Sequence, residues 1–155
     1  MSEVSFVVSC DAPLEVAFAY VSDYRHVPDY FAGITSYVPS GAQTTGVGAS
    51  FDAEMSIGPT SMSSVVAAEE WEDNRRLVFS STGGVRNITT YDFTAVDETH
   101  SRIDFRFEFR LPGGLAGRAL AQALEPLVSP AAQRTAENLS RNIAEFAAKQ
   151  AVPGN

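Results

Sequence analysis

The sequence predicts an α+β domain: a seven-stranded antiparallel sheet, dry on one face, covered there by a long C-terminal helix, with two short helices between the first and second strands. Three observations carry this. Residues 102–110 read Arg-Ile-Asp-Phe-Arg-Phe-Glu-Phe-Arg, an unbroken alternation of charged and apolar side chains. A strand has a side-chain period of two, so Ile103, Phe105, Phe107 and Phe109 share one face and the charged residues take the other. Leu111-Pro112-Gly113-Gly114 then opens a long stretch with apolar residues spaced by three and four, the mark of an amphipathic helix. Short turns at Gly58-Pro59, Asp73-Asn74, Gly83-Gly84 and Asp97–His100 join the strands, and such turns make neighbours antiparallel.

The elements follow in order. Val4 to Cys10 is the first strand, with Val4, Phe6, Val8 and Cys10 as its inward set. Asp11 is a fitting N-cap, Pro13 stands near the first helical turn, and Glu15 suits the positive end of the helix dipole. The helix runs to Val21, and Ser22-Asp23 ends it and caps a second, interrupted at Pro28. Strands are expected over 36–38, 49–57, 62–71, 77–81, 85–96 and 102–110. Val65-Val66-Ala67-Ala68 is too uniform to give the phase of its strand. The last helix carries Leu120, Leu124, Leu127, Val128, Leu139, Ile143 and Phe146 on one stripe. Pro126 and Pro130 predict a kink or break near residues 125–130, with Ser129 as a fresh N-cap. Residues 1–150 form one domain, and 151–155 a flexible tail.

Composition narrows the function classes. The chain has 155 residues, 45% of them hydrophobic, which suits one folded core. Its formal charge of −8 lacks the basic footprint of nucleic-acid or anionic-membrane binding. Cys10 is the single cysteine, so no internal disulfide forms, and its inward place marks a small buried hydrophobe. The first residues show no signal peptide and no apolar run reaches membrane-span length, so a cytoplasmic protein without integral membrane association is expected. It is a monomer or homodimer.

Local motifs add a resemblance. Asp11-Ala-Pro-Leu-Glu-Val-Ala-Phe-Ala-Tyr-Val-Ser-Asp23, Asp73-Asn-Arg-Arg-Leu-Val-Phe79 and Leu111-Pro-Gly-Gly114 resemble the START / Bet v 1-like (SRPBCC) superfamily, and most of all its polyketide cyclase/dehydrase branch. The resemblance spans residues 3–149. It implies a helix-grip fold, in which a strongly curved sheet grips the long helix around a cavity. It also implies a hydrophobic small-molecule ligand, a lipid or polyketide-like aromatic. The alternatives are a polyketide cyclase, aromatase or dehydratase working in that cavity, and a regulatory or co-chaperone-like interaction module. A family built on one cavity specifies fold better than chemistry.

The expected walls of that cavity are Phe31, Ile34, Phe51, Met55, Phe79, Tyr91 and Phe93 from the first helices and strands. Ile103, Phe105 and Phe107 add the last strand, and Leu120, Leu124 and Val128 the helix. Such residues fill a core or line a pocket, and a pocket for a small molecule typically measures ~300–1,000 Å³. Tyr30, Tyr91, Arg86 and His26 are the candidate catalytic residues: phenols for a ligand carbonyl, an arginine with Asn87 at the rim, an imidazole that titrates near neutrality. His26 and His100 lie far apart with no His-x-His or His-x-x-x-His spacing, so no metal site is expected. No nucleophile elbow and no phosphate loop is present, and no cofactor is called for.

Overall fold

The computed structural model describes residues 2–151, so the tail expected over 151–155 lies, past Ala151, outside the described residues. The chain runs β1 (Ser2–Cys10), α1 (Leu14–Ser22), a 3₁₀ turn (Tyr24–His26), α2 (Val27–Tyr30), β2 (Ile34–Pro39), β3 (Ser50–Ile57), β4 (Thr60–Glu72), β5 (Arg76–Gly84), β6 (Arg86–Ala95), β7 (Ser101–Arg110) and α3 (Leu115–Ala151). All seven strands form one antiparallel sheet in the order β1-β7-β6-β5-β4-β3-β2. The sheet is a curled half-barrel that grips α3, the helix-grip α+β fold. No helix among the described residues is long and apolar enough to cross a membrane.

Alternation in β7 sets the two faces. Ile103, Phe105 and Phe109 are buried, and Phe107 packs against the same core. Their cross-strand partners are Val8, Phe6 and Val4 of β1 on one side and Phe93, Tyr91, Thr89 and Asn87 of β6 on the other. The charged residues face outward, where Arg102 pairs with Asp104 at 3.1 Å and Arg106 with Glu3 at 3.8 Å. Such exposed pairs add little stability.

Local chemistry explains most boundaries. Pro13, not Asp11, occupies the N-cap of α1, and no side chain caps it. Asp23 caps the 3₁₀ turn, its carboxylate accepting from the Arg25 amide at 3.0 Å. Pro28 sits in the first turn of α2, where its missing donor is not needed. In β4 the register slips at Val65/Val66 and again at Ala68/Glu70. The first skips Thr82 of β5 and the second Glu69 of β4, so buried Val66 and Ala68 keep the parity of Met62 and Ser64, and the inward face changes parity only after Ala68.

The first slip follows the pairs Ser64–Gly84 and Val65–Gly83. Gly84 has φ +75°, and a Cβ there would overlap the Ser63 carbonyl oxygen. Gly84→Ala combines left-handed strain with a backbone clash, for an expected loss of ~2–5 kcal/mol read from the urea midpoint. A loss below ~1 kcal/mol would mean that β4 relaxes freely at the bulge.

Of the kink or break expected near residues 125–130, the break does not occur. α3 is one helix of 37 residues with Pro126 and Pro130 inside it, and Ser129 is mid-helix. The two prolines leave the carbonyls of Gln122 and Pro126 without helical donors. Gln122, Pro126 and Pro130 are all exposed, so water satisfies those carbonyls and the cost of continuing is small. The two halves of α3 are held differently. Thr135 accepts from the Ala32 amide, Asn138 donates to the Tyr30 carbonyl and Asn142 to the Asp29 carbonyl. Leu139 and Ile143 are fully buried beside them. Before residue 130 the described hydrogen bonds of α3 side chains to the rest of the fold cease, and only Leu124 has a buried side chain.

Candidate functional site

The concave face of the sheet encloses a cavity of about 70 Å³. That is room for a handful of water molecules. Its walls come from every strand but β1: Ile34 and Tyr37 of β2, Met55 of β3, Met62 of β4, Phe79 of β5, Tyr91 of β6 and Phe107 of β7, with Val27 of α2 and Phe31 closing it. A second space of about 40 Å³ adjoins it between β7 and α3, bounded by Phe105, Val128, Ala131 and Thr135. Phe31, Met55, Ile57, Phe107 and Phe109 line both, and Phe31 stands edge-on to Phe107 at 5.4 Å between ring centroids. These volumes fall short of a drug-sized site, so a larger ligand has to displace side chains in this partition. Met55 and Met62 have the three free torsions that such displacement needs.

One side of the cavity is polar. The inward row of β6 is Asn87, Thr89, Tyr91 and Phe93, three hydrogen-bonding residues and then an apolar one. The Asn87 side chain donates to the Val85 carbonyl at 2.9 Å, and its backbone amide donates to Ser81 Oγ at 3.0 Å. The Tyr91 hydroxyl lies 2.8 Å from that of Tyr30, and both rings are buried. Burial pushes the phenols of Tyr30, Tyr37 and Tyr91 well above the ordinary range, so all three stay protonated. Among the described residues that line the cavity there is no carboxylate, amine, guanidinium, imidazole or thiol.

The residues singled out from sequence divide as follows. Phe31, Ile34, Met55, Phe79, Tyr91 and Phe107 line the main cavity, and Phe105 and Val128 line the second. Phe51 borders a third, smaller void, stacked on Tyr37 at 4.9 Å. Phe93 and Ile103 lie deeper, where Phe93 meets Phe18 of α1 at 5.1 Å. Leu124 packs with Phe109 and Leu111, and Leu120 is 38% exposed. Of the four polar candidates, the structure brings Tyr30 and Tyr91 together. Arg86 is exposed at the start of β6, opposite Arg110. His26 stacks on Tyr20 at 4.2 Å, and its Nδ1 donates to the Tyr20 carbonyl at 2.7 Å. Cys10 is buried and its thiol is pushed up to about 11 by burial.

Sequence reasoning does not single out Tyr37, Val27, Ile57 and Thr89 as walls. Thr89 is within its reach: it has the parity of Tyr91 and Phe93 on one strand. Tyr37 is hidden, because β2 is short and its neighbour Val38 is an apolar residue that faces solvent.

The comparisons with known proteins agree with this fold. Residues 1–144 match the family described as polyketide cyclase / dehydrase and lipid transport. No curated protein matches the sequence. Among solved structures, TTHA0849 from Thermus thermophilus superposes with a TM-score of 0.76 at 18% identity, over 92% of this chain and 97% of that one. The Zhui aromatase/cyclase from Streptomyces sp. R1128 gives 0.72 at 11% identity, over 99% and 98%. A START superfamily protein from Mycobacterium smegmatis gives 0.67 at 15% identity, over 93% and 98%. At these identities the likeness is one of fold.

Proposed function

We propose that this chain, which belongs to the polyketide cyclase / dehydrase and lipid transport family, binds a hydrophobic small molecule between its sheet and α3. The observation that carries the reading is the chemistry of the walls: aromatic and aliphatic side chains, two methionines and a short polar row, with no ionisable group but two phenols. Apolar walls with a few convergent polar groups are what a neutral, mostly hydrophobic ligand requires. The ligand enlarges the cavity by moving Met55, Met62 and Phe31, and it gains the burial of its own apolar surface.

Ala53 has its small side chain against the cavity. Ala53→Phe fills that space. The neutral fluorophore N-phenyl-1-naphthylamine should bind the wild-type protein and bind this variant at least ~10-fold more weakly, a loss of ~1.4 kcal/mol. A native mass spectrum of the protein as purified should also carry an added small-molecule mass. No binding by the wild-type protein, or equal binding by both, would sink the proposal.

A second reading, a cyclase or dehydratase acting in the same cavity, draws on the Tyr30–Tyr91 contact of 2.8 Å. Two phenols are able to polarise a substrate carbonyl. Among the described lining residues no base stands ready to take a proton, and phenols held protonated do not serve as one. The walls therefore favour binding over proton abstraction.

A further inference from the structure

Tyr30, Tyr37 and Tyr91 come from α2, β2 and β6, yet all three border one void of about 10 Å³. That is the space of a single water-sized oxygen. The void shares Val27, Tyr37, Phe79 and Tyr91 with the main cavity, so the two spaces abut. Tyr30 lines only the void.

The direction of the hydrogen bonds follows from the partners. Tyr30 is enclosed, and the Tyr91 oxygen, 2.8 Å away, is the one acceptor among the described residues for its proton. Either hydroxyl is able to donate in this contact, and a ligand in the main cavity, which Tyr91 borders and Tyr30 does not, selects Tyr30 as the donor and Tyr91 as the acceptor. The proton of Tyr91 is left for a third group, and a hydroxyl that accepts becomes a better donor. Tyr37 has no hydrogen-bond partner among the described residues. Because no fully enclosed side-chain oxygen or nitrogen among the described residues lacks a partner, the Tyr37 hydroxyl is not fully enclosed, and Tyr37 borders both the void and the main cavity. It also lies close enough to Tyr30 and Tyr91 for the three ionisations to oppose one another. Two O–H donors thus reach one small space, whose hydroxyl-bearing wall residues besides these three tyrosines are Ser22 and Tyr24.

We infer that these three phenols form a subsite for a single uncharged ligand oxygen, a ketone or conjugated carbonyl at the inner end of a flat apolar molecule. This rests on the binding reading above. Tyr37 and Tyr91 donate to the oxygen. Tyr30 is a positioning residue that orients Tyr91. Burial keeps the phenols protonated, so they donate throughout the neutral range. A carboxylate does not suit the place, since no cation lines the cavity to offset its lost hydration.

Two matched bicyclic probes test this: tetralin, and 1-tetralone, which adds only a carbonyl. The ketone should bind the wild-type protein about tenfold more tightly than the hydrocarbon. Its C=O stretch should fall below the value seen in apolar solvent. Tyr37→Phe and Tyr91→Phe should each raise that frequency and cut ketone affinity several-fold, with tetralin affinity unchanged as proof of an intact fold. Tyr30→Phe should produce a smaller shift in the same direction. If tetralin binds but the ketone binds no better, or its frequency ignores Tyr37→Phe and Tyr91→Phe, the subsite is overturned and the binding reading survives. If neither probe binds, both fall.

Discussion

Leu139→Ala should cost the protein ~2–5 kcal/mol, and Leu120→Ala and Leu127→Ala less than ~1 kcal/mol each. All three residues lie on the helical stripe of α3. Leu139 is fully buried in the main core beside Ile143, next to the Asn138 and Asn142 bonds to the backbone before β2. Truncating it removes buried methyl groups and leaves a cavity that anchored neighbours cannot collapse. Leu120 and Leu127 are 38% and 40% exposed and have far less burial to lose. Urea midpoints at constant slope decide the matter. Equal losses for Leu139 and Leu127 would show that both halves of α3 are gripped alike.

Alkaline pH should unfold the protein steeply. Cys10 is buried and its thiol is raised from 9.0 to about 11, while the phenols of Tyr30 and Tyr91 are raised above 10.0, all chiefly by burial. Each group is held protonated in the fold. The unfolded chain ionises first, from its ordinary value upward, so the stability is fully present below about pH 9 and is lost as pH rises toward each folded value. Each group contributes at most ~1.4 kcal/mol per pH unit, approached once it is ionised in the unfolded chain and still protonated in the fold, so the slope steepens above about pH 9 as the thiol and then the buried phenols, Tyr37 among them, come into play. Urea titrations across that window, followed by tyrosinate absorbance, should show phenol ionisation and unfolding coinciding. Tyr30→Phe should make the slope above pH 10 shallower. A flat stability curve from about pH 8 to 11 would contradict the burial of these groups.

How far the sequence is legible depends on whether the signal is local. The alternation of β7 names its own buried face, and glycine-rich turns mark the hairpins that order the sheet. The phase of β4 is not legible, because Val65–Ala68 offers equal candidates for either face and a bulge at Glu69 just after it resets the pattern. The prolines of α3 mislead, because a proline's cost depends on whether water reaches the freed carbonyl, and that is a tertiary fact. The site is the least legible part. Tyr30, Tyr37 and Tyr91 meet only because α2, β2 and β6 are folded against each other, and no spacing in the chain encodes their approach. Alternation places Phe105 and Phe107 on the concave face, but it does not tell cavity wall from filled core.

The pairing of β1 with β7 has a consequence for how the chain is made. Ser2 meets Phe109 and Cys10 meets Ser101, so the first strand is synthesised roughly a hundred residues before its only neighbour in the sheet. At ordinary elongation rates that is an interval of ~5–20 s during which Val4, Phe6 and Val8 have no strand to cover them. Closing so long a loop places most of the chain in the slow, non-local class of folding topologies. The N-terminal strand is therefore the last to find its place and the segment most exposed to mispairing on the ribosome, and a chaperone that shields it would raise yield without altering the stability of the finished fold.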